Sequence, residues 1–328
     1  MEIDQSNWYE RDLEPIKKVD KAHLNSIETI SFNPTQSNQL VTGSHDHTMK
    51  LWDTNKMTCT GTLEGHKEGV WASQFSSDGK TLLSASPDKT ILIWDVAKAK
   101  PIQSLKEHKN KVYHANFNET SKLIASGGED SRLIIWDLRK GTPLKIIKSD
   151  NKIIYSTKWS KCGNYLFTTE YGGIVKVFDT QKFNLLDQFG HYSESNRAWT
   201  CDMDFRDESK TGHHVFVGFE NQMQMKILKF EPEKNKLELD FEFLAHLNPI
   251  KSLVVNGSKG YMATGCRDGS ARVWETEKHG DKQYGYRNKT IANLNGHSDN
   301  VSSIAFMPGH DNIVATGSWD QGLRIFKF

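Results

Sequence analysis

Histidine, hydroxyl and aspartate residues recur along the chain at spacings that could bring them together. In five segments an aspartate follows a histidine by 22 or 23 residues, and a serine or threonine lies between them. The five sets are His23, Thr42 and Asp46; His66, Ser84 and Asp88; His108, Ser126 and Asp130; His246, Thr264 and Asp268; His297, Thr316 and Asp320. One such set activates the nucleophile of a serine hydrolase. Because one active site needs one set, the fivefold recurrence favours a structural role.

An aromatic residue follows each aspartate by six positions. Four sets continue to a tryptophan, and the fifth continues to Phe326, which has no indole donor. The tryptophans are Trp52, Trp94, Trp136 and Trp274. A buried histidine needs partners on both ring nitrogens, and tryptophan supplies one donor beside a large apolar surface. These residue types therefore suit a buried hydrogen-bonded network.

The same register divides nearly the whole chain into repeated units. The first three tryptophans are 42 residues apart, and seven units begin near His23, His66, His108, Asp150, His191, His246 and His297. Short segments rich in β-branched residues, such as 90–94, predict strands rather than helices. Gly172 and Asn221 replace the aspartate in the fourth and fifth units. We expect apolar packing to hold those two units together.

The repeated unit resembles that of the WD-repeat family, whose G-protein β-subunit-like repeats carry Gly-His and Trp-Asp signatures. Here the signatures include Gly296-His297, Leu51-Trp52-Asp53 and Ile135-Trp136-Asp137. The resemblance implies an all-β, seven-bladed WD-repeat β-propeller. It also implies that each histidine, hydroxyl, aspartate and tryptophan form one hydrogen-bonded tetrad inside a blade.

The two ends of the chain predict how the ring closes. The last unit ends at Phe328 after its third strand, while Pro15–His23 resembles Pro101–His108, which leads from one unit into the next. We expect the N-terminal segment to supply the missing outer strand, since closure protects open sheet edges. Residues 1–12 are then an extension, and residues 13–328 form one propeller.

The family resemblance also points to a binding surface, because the top face of these propellers often binds peptides. Two repeat positions reach that face: the residue before the turn aspartate and the residue after the apolar anchor of the first strand. The candidate partner-binding residues at these positions are Trp71, Tyr113, Tyr155, Tyr171, Glu28, Glu129, Arg267 and Trp319. Aromatic residues and arginine are enriched at binding hot spots. The alternatives are that these aromatics fill the channel, or that partners contact the rim or the inserted loops 206–214 and 275–290.

Composition and motifs argue against several other functions. The net charge is +1, and no basic stripe interleaved with aromatics predicts a direct nucleic-acid site. No apolar run approaches the ~18 residues that a membrane span needs. His213 and His214 could bind a metal with His191, but no acidic or thiol ligand accompanies them at the usual spacing. We therefore expect no metal, no cofactor and no membrane insertion.

Together these patterns predict a non-catalytic protein-interaction scaffold, monomeric by itself, within a larger multiprotein or ribonucleoprotein assembly. The four cysteines form no disulfide framework, which favours the cytoplasm and leaves the nucleus, cytoskeleton or cilium open. A narrower alternative is a signalling or ribosome-associated scaffold similar to the kinase-C receptor or G-protein β subunits. A third hypothesis is an enzyme whose site lies in the channel.

Overall fold

In the computed structural model, the chain folds into short antiparallel sheets arranged as the blades of a β-propeller. The structure describes residues 11–150, 152–190, 198–204, 213–219, 224–256, 260–276 and 290–328, with the backbone alone for 198–204. Within these ranges there are 29 strands in seven sheets and no helix. The predicted all-β, seven-bladed fold is confirmed.

Two short strands precede the blades, and each blade then follows in chain order. The first two strands are β1 (Arg11–Leu13) and β2 (Lys17–Val19). Blade one contains β3 (Ile27–Asn33), β4 (Gln36–Ser44), β5 (Thr48–Asp53) and β6 (Thr58–Glu64). Blade two contains β7 (Ala72–Phe75), β8 (Thr81–Ala85), β9 (Ile91–Asp95) and β10 (Lys100–Leu105). Blade three contains β11 (Val112–Phe117), β12 (Leu123–Gly128), β13 (Arg132–Asp137) and β14 (Thr142–Lys148).

The remaining blades repeat this order. Blade four contains β15 (Ile154–Trp159), β16 (Tyr165–Glu170), β17 (Ile174–Asp179) and β18 (Leu185–Phe189). Blade five contains β19 (Ala198–Asp204), β20 (His213–Phe219), β21 (Gln224–Glu231) and β22 (Lys236–Leu244). Blade six contains β23 (Ile250–Asn256), β24 (Tyr261–Cys266), β25 (Ala271–Glu275) and β26 (Thr290–Leu294). Blade seven contains β27 (Val301–Phe306), β28 (Ile313–Ser318) and β29 (Leu323–Lys327).

The hydrophobic core is divided into layers between neighbouring blades. Trp136 of blade three packs with Leu83 and Ile93 of blade two, and Trp94 of blade two packs with Leu51 of blade one. The repeated tryptophan therefore fills the space between its own blade and the preceding one. Trp94 and Trp136 are each only 1% exposed, so this packing removes most of a large apolar surface from water.

The N-terminal segment closes the ring as the sequence predicts. β2 pairs antiparallel with β29, with Lys17 opposite Ile325 and Val19 opposite Leu323. The Ile16 amide also donates to the Ile325 carbonyl at 2.8 Å. Blade seven thus obtains its fourth strand from the opposite end of the chain.

A second N-terminal strand, which the sequence analysis did not anticipate, extends blade six. β1 runs parallel to β26, with Arg11 opposite Ala292 and Leu13 opposite Leu294. Leu13 packs against the apolar layer between blades six and seven. Arg11 and Asp12 therefore pair with the propeller sheet, although the sequence placed them in the extension. Residues 1–10, with Trp8 and Tyr9, lie outside the described residues.

We expect deletion of residues 1–20 to lower the unfolding midpoint in urea and to cause aggregation. The deletion removes β1 and β2 and leaves the backbone groups of β29 without partners at a sheet edge, where other chains can pair. The matched control deletes only residues 1–10 and keeps both strands. Light scattering and urea titration measure the outcome, and equal behaviour of the two truncations would contradict this closure.

Candidate functional site

Blades one to three each contain one continuous hydrogen-bonded tetrad. In blade one, the Trp52 indole donates to the Thr42 hydroxyl at 2.8 Å, and that hydroxyl lies 2.7 Å from Nε2 of His23. Nδ1 of His23 lies 2.8 Å from the Asp46 carboxylate. The corresponding distances in blades two and three are 2.7 to 2.9 Å, for the sets His66, Ser84, Asp88, Trp94 and His108, Ser126, Asp130, Trp136.

The hydrogen bonds of a tetrad all point in one direction, from the indole through the hydroxyl and the histidine to the aspartate, because an ionised aspartate can only accept. Nδ1 of His23 must therefore donate to Asp46, which leaves Nε2 to accept from Thr42, and Thr42 accepts from the indole. Burial opposes the ionisation of Asp46, but hydrogen bonds from His23 and Thr48 outweigh it and hold the pKa of Asp46 well below its usual range. Every polar atom is paired in this order, and His23 and Thr42 are buried. This arrangement stabilises the blade and exposes no nucleophile.

Blade six keeps the indole, hydroxyl and histidine of the tetrad but lacks the direct bond from histidine to aspartate. The Trp274 indole donates to Thr264, which lies 2.7 Å from Nε2 of His246, as in the other blades. Nδ1 of His246 lies 3.2 Å from the Ser270 hydroxyl, which donates to Asp268 at 2.6 Å. Thr48 and Thr90 make the same two contacts in blades one and two, but there the aspartate also contacts the histidine directly. Asp268 is exposed, so the aspartate is displaced from the histidine toward solvent.

Blade seven keeps the histidine, hydroxyl and aspartate, has no indole donor, and adds a cation at the aspartate end of the set. His297 lies 2.7 Å from Thr316 and 2.9 Å from Asp320. Phe326 occupies the tryptophan position and is fully buried. Arg324 contacts His297 and lies 3.1 Å from Asp320, so a guanidinium adds a charge-assisted bond to this blade.

Blade four has a buried ion pair where the tetrad is missing, in addition to the apolar layers that were expected to hold it mainly. Ser149 donates to the Glu170 carboxylate at 2.5 Å, and the Lys176 ammonium lies 2.9 Å from Ser149 and 3.0 Å from Glu170. The Lys176 and Glu170 side chains are 8% and 1% exposed. The sequence analysis missed these residues because none of them lies at a repeat position that the family marks with a signature residue. Buried charges of this kind need each other, and removing one is costly.

The top face is the end of the propeller at which each histidine precedes the first strand of its blade. The turn between the second and third strands, which carries the aspartate, lies at the same end. Three aromatic rings from consecutive blades form a continuous wall there. The Trp71 and Tyr113 centroids are 4.8 Å apart, and those of Tyr113 and Tyr155 are 5.2 Å apart in an edge-to-face arrangement. Tyr155 is buried, whereas Trp71 and Tyr113 are half-buried. We call these three residues the aromatic wall.

The neighbouring blade fixes the orientation of the first ring. The Trp71 indole donates to Nε2 of His45 at 2.8 Å, so His45 is neutral with its proton on Nδ1. Burial lowers the pKa of His45, in agreement with this assignment. The sequence analysis did not select His45, although it precedes Asp46 at one of the two repeat positions that reach the top face.

A carboxylate lies beside the aromatic wall. The Glu28 side chain is 16% exposed and lies 3.4 Å from His45. Burial raises the pKa of Glu28 to about 7, against the opposing effects of Lys251 and of hydrogen bonds from Ser26 and Trp319. Near neutral pH, Glu28 therefore changes charge within a partly apolar surface. Lys251 occupies in blade six the repeat position that Glu28 occupies in blade one, and the sequence analysis did not select it.

The other candidates spread around the same face. Trp319 is 41% exposed, Arg267 is exposed, and Glu129 and Tyr171 are half-buried. Glu129 lies 3.8 Å from Lys111. The face surrounds the mouth of a central channel of about 960 Å3, lined by Glu28, His45, Trp71, Tyr113, Tyr155, Lys251 and Trp319 among others. Tyr171, Glu129 and Arg267 lie outside this lining.

Below the mouth, side chains on the first strands join neighbouring blades across the channel wall. Thr29 and Ser73 hydroxyls lie 3.0 Å apart, and Gln74 accepts from the Phe117 amide at 2.7 Å. Thr157 donates to Asn116 at 2.9 Å. These polar groups satisfy one another and hold the blades in register beneath the aromatic wall.

The histidine pair considered as metal ligands cannot share an ion. His213 and His214 are adjacent in β20, so their side chains point to opposite faces of the sheet. His213 stacks on Phe230, and Nε2 of His214 lies 3.4 Å from Asp240. His191 lies outside the described residues, as do most of the two inserted loops.

We expect Asp88→Ala to lower the free energy of unfolding by about 1–3 kcal/mol at pH 7, because His66 loses its buried partner. Hydrogen bonds hold the pKa of Asp88 below its usual range, against burial, so this stabilisation is complete above about pH 4 and declines as the pH falls through the folded-state pKa. Asp268→Ala is the matched control and should cost less, because Asp268 does not contact its histidine. Urea unfolding at pH 7 and pH 3 measures the stability of both variants. An equal loss of unfolding free energy in the two variants at pH 7 would contradict the assignment of the buried bond to Asp88.

The described part of the chain contains no helix long and apolar enough to cross a membrane.

Curated proteins with similar sequence match segments of this chain. THO complex subunit 3 of Arabidopsis thaliana is 31% identical over 85 residues, which cover 26% of this chain and 25% of that protein. Dynein assembly factor with WD repeat domains 1 of Xenopus laevis is 42% identical over 60 residues, 18% of this chain and 14% of that protein. A ribosome biogenesis protein WDR12 homolog of Culex quinquefasciatus is 23% identical over 176 residues, 50% of this chain and 40% of that protein.

The matches therefore span less than half the length of each of these relatives. A family model described as WD domain, G-beta repeat matches six segments, at residues 14–53, 57–95, 99–137, 141–179, 238–275 and 288–327. These segments cover most of the chain and correspond to blades with a recognisable repeat. The chain belongs to the WD-repeat family.

Proposed function

We propose that this protein is a non-catalytic scaffold, a subunit of a larger multiprotein or ribonucleoprotein assembly that binds a partner peptide on its top face. The observation that carries the proposal is the aromatic wall of Trp71, Tyr113 and Tyr155 beside Glu28 at the channel mouth. Aromatic side chains of this kind are typical anchors of protein interfaces. The names of the similar proteins, a complex subunit and assembly factors, agree with a role in complexes.

Preorganisation supports this choice of surface. The bond from Trp71 to His45 and the ring contacts with Tyr113 restrict the rotamers of the wall before a partner arrives. Binding to an ordered surface costs less side-chain entropy than binding to mobile side chains. A partner would therefore gain apolar contact on a surface whose shape is already set.

The charge at the channel mouth indicates the chemistry of the partner. Glu28 lies among Trp71, His45 and Trp319, where burial makes its charge costly and a bound cation would offset that cost. A lysine or arginine of the partner could place its apolar stem on the aromatic wall and its charge near Glu28. We infer a basic peptide segment as the ligand.

The tetrads support a non-catalytic role, because their histidines and hydroxyls are buried and mutually hydrogen-bonded. We further propose that the protein is monomeric by itself and acts in the cytoplasm, with a nuclear role as the alternative. A ribosome-associated scaffold is the second candidate function, favoured by similar proteins whose names refer to ribosome assembly or biogenesis. A turnover screen of the purified protein tests for activity in the channel.

We expect the double substitution Trp71→Ala and Tyr113→Ala to reduce partner binding by about 2 kcal/mol or more, which is the size of a true hot spot. Folding should change less, because the inter-blade cores lie below these rings. The matched control is Ile102→Ala with Leu144→Ala, two exposed apolar residues on the outer strands. Affinity capture with quantitative mass spectrometry compares the variants after circular dichroism confirms folding. Equal recovery of every partner would place the main contact on the rim or the inserted loops.

We expect binding of a lysine- or arginine-containing partner peptide to strengthen as the pH rises from 6 to 8. Burial raises the pKa of Glu28 to about 7, so the carboxylate that attracts the cation forms within this range. Glu28→Gln should bind more weakly at pH 8 and lose most of the pH dependence. Isothermal titration calorimetry at each pH measures this, with Glu119→Gln, in the exposed turn between β11 and β12, as the control. If Glu28→Gln binds the peptide with the same pH dependence as the wild type, Glu28 is not the residue that binds the cation.

A further inference from the structure

We propose that blade six contains a metal site in which His246, Cys266 and Asp268 bind a zinc ion. Nδ1 or Nε2 of the histidine, the cysteine sulfur and a carboxylate oxygen lie within 4.8 Å of one another. Imidazole nitrogen, thiolate and carboxylate are the three ligand types that zinc takes in proteins, and sites with three protein ligands leave the fourth position to water. His246 and Cys266 are buried, and Asp268 is exposed, so the ion could enter from the top face.

The WD repeat itself explains why these three groups converge. In blades one, two and seven, a serine follows the hydroxyl position of the tetrad by two residues and accepts from the amide of the turn aspartate at 3.0 to 3.2 Å. These serines are Ser44, Ser86 and Ser318. Blade six has Cys266 at this position, and its thiol contacts the Asn248 carbonyl at 3.3 Å as the serines contact theirs. A structural hydroxyl has therefore been replaced by a strong zinc ligand beside the histidine and aspartate.

Only small movements separate this arrangement from zinc coordination. Zinc bonds of about 2.0–2.3 Å in a tetrahedron place neighbouring ligand atoms roughly 3.3–3.8 Å apart. The exposed Asp268 carboxylate has the freedom to approach, and the repeat permits the approach. In blades one, two, three and seven the equivalent aspartate lies 2.8 to 2.9 Å from the histidine Nδ1.

The Ser270 hydroxyl contacts both the histidine and the aspartate, as Thr48 and Thr90 do in blades one and two, and an ion at Nδ1 would have to displace it. The hydroxyl lies 3.2 Å from Nδ1 of His246 and donates to the aspartate. An ion bound to Nδ1 would also move the imidazole proton to Nε2, which would donate to Thr264 at the present 2.7 Å. A metal-bound histidine whose other nitrogen donates to an oxygen is the usual arrangement at zinc sites.

The charges of the site also suit a dication. The thiol loses its proton to solvent when the sulfur binds the ion, so thiolate and carboxylate together supply two negative charges. Arg272, which donates to the Ala245 carbonyl at 2.9 Å, is a cation close to His246 and opposes the ion, so both negative ligands are needed. The ion is thus neutralised by its own ligands.

Cobalt(II) absorption on the untagged full-length chain tests the proposal, because Co2+ occupies zinc sites and gives a thiolate charge-transfer band. A background variant with Cys59, Cys162 and Cys201 changed to serine should keep the band, and zinc should displace the cobalt. Adding Cys266→Ser should abolish the band without unfolding the protein, because serine is the residue that blades one, two and seven use at this position. Asp268→Asn should weaken cobalt binding, and Ser270→Ala should strengthen it by removing the competing hydroxyl.

Two results would overturn the proposal. One is a folded background variant that gives no thiolate band with cobalt; the other is a band that survives Cys266→Ser. A melting temperature that rises with zinc in the background variant, and does not rise after Cys266→Ser, would support it independently of the spectrum.

Discussion

The bond between the histidine Nδ1 and the turn aspartate is the interaction on which the top face depends. The histidine lies just before the first strand of a blade, and the aspartate lies in the turn between its second and third strands. Their contact, at 2.8 Å in blades one and two, joins the two loops that reach the top face. His45 immediately precedes Asp46 in that turn, and it receives the bond that orients Trp71. Fixing the tetrad of blade one thus helps to fix Trp71, the first ring of the aromatic wall.

Differences among the blades show how one scaffold acquires local chemistry. Blade four has the buried pair of Lys176 and Glu170 in place of the tetrad. Blade seven adds Arg324 to its own histidine, hydroxyl and aspartate. Blade six separates the aspartate from the histidine and carries a thiol where blades one, two and seven carry serine. The backbone register is nearly unchanged in all of them, because the sheet ladder and the inter-blade core determine it. Polar positions at the top of a blade can therefore vary without loss of the fold.

The sequence predicted the features that recur and missed those that occur once. The seven blades and the closing strand β2 are confirmed. A repeated pattern predicted the blades, and the likeness of Pro15–His23 to Pro101–His108 predicted the strand. β1 escaped prediction because three residues, Arg11–Leu13, hold no periodic signal and pair parallel to a strand distant in sequence. The displacement of Asp268 escaped prediction because its spacing matches that of the other aspartates, and Ser270 supplies the same hydroxyl that Thr48 and Thr90 supply in blades one and two. The ion pair of blade four escaped because charged residues usually indicate solvent exposure.

The burial of the aromatic wall raises the question of whether it merely completes the core. The inter-blade layers already contain fully buried tryptophans such as Trp94, and the channel groups beneath the wall, such as Asn116 and Thr157, are paired with each other. Removing the wall would thus uncover satisfied polar groups, and no apolar layer would be opened. Its rings instead contact one another and a neutral His45 around a carboxylate whose pKa burial has raised to about 7. Ser26, Trp319 and Lys251 offset only part of the effect of burial on this carboxylate, so a bound cation would stabilise its charged form further.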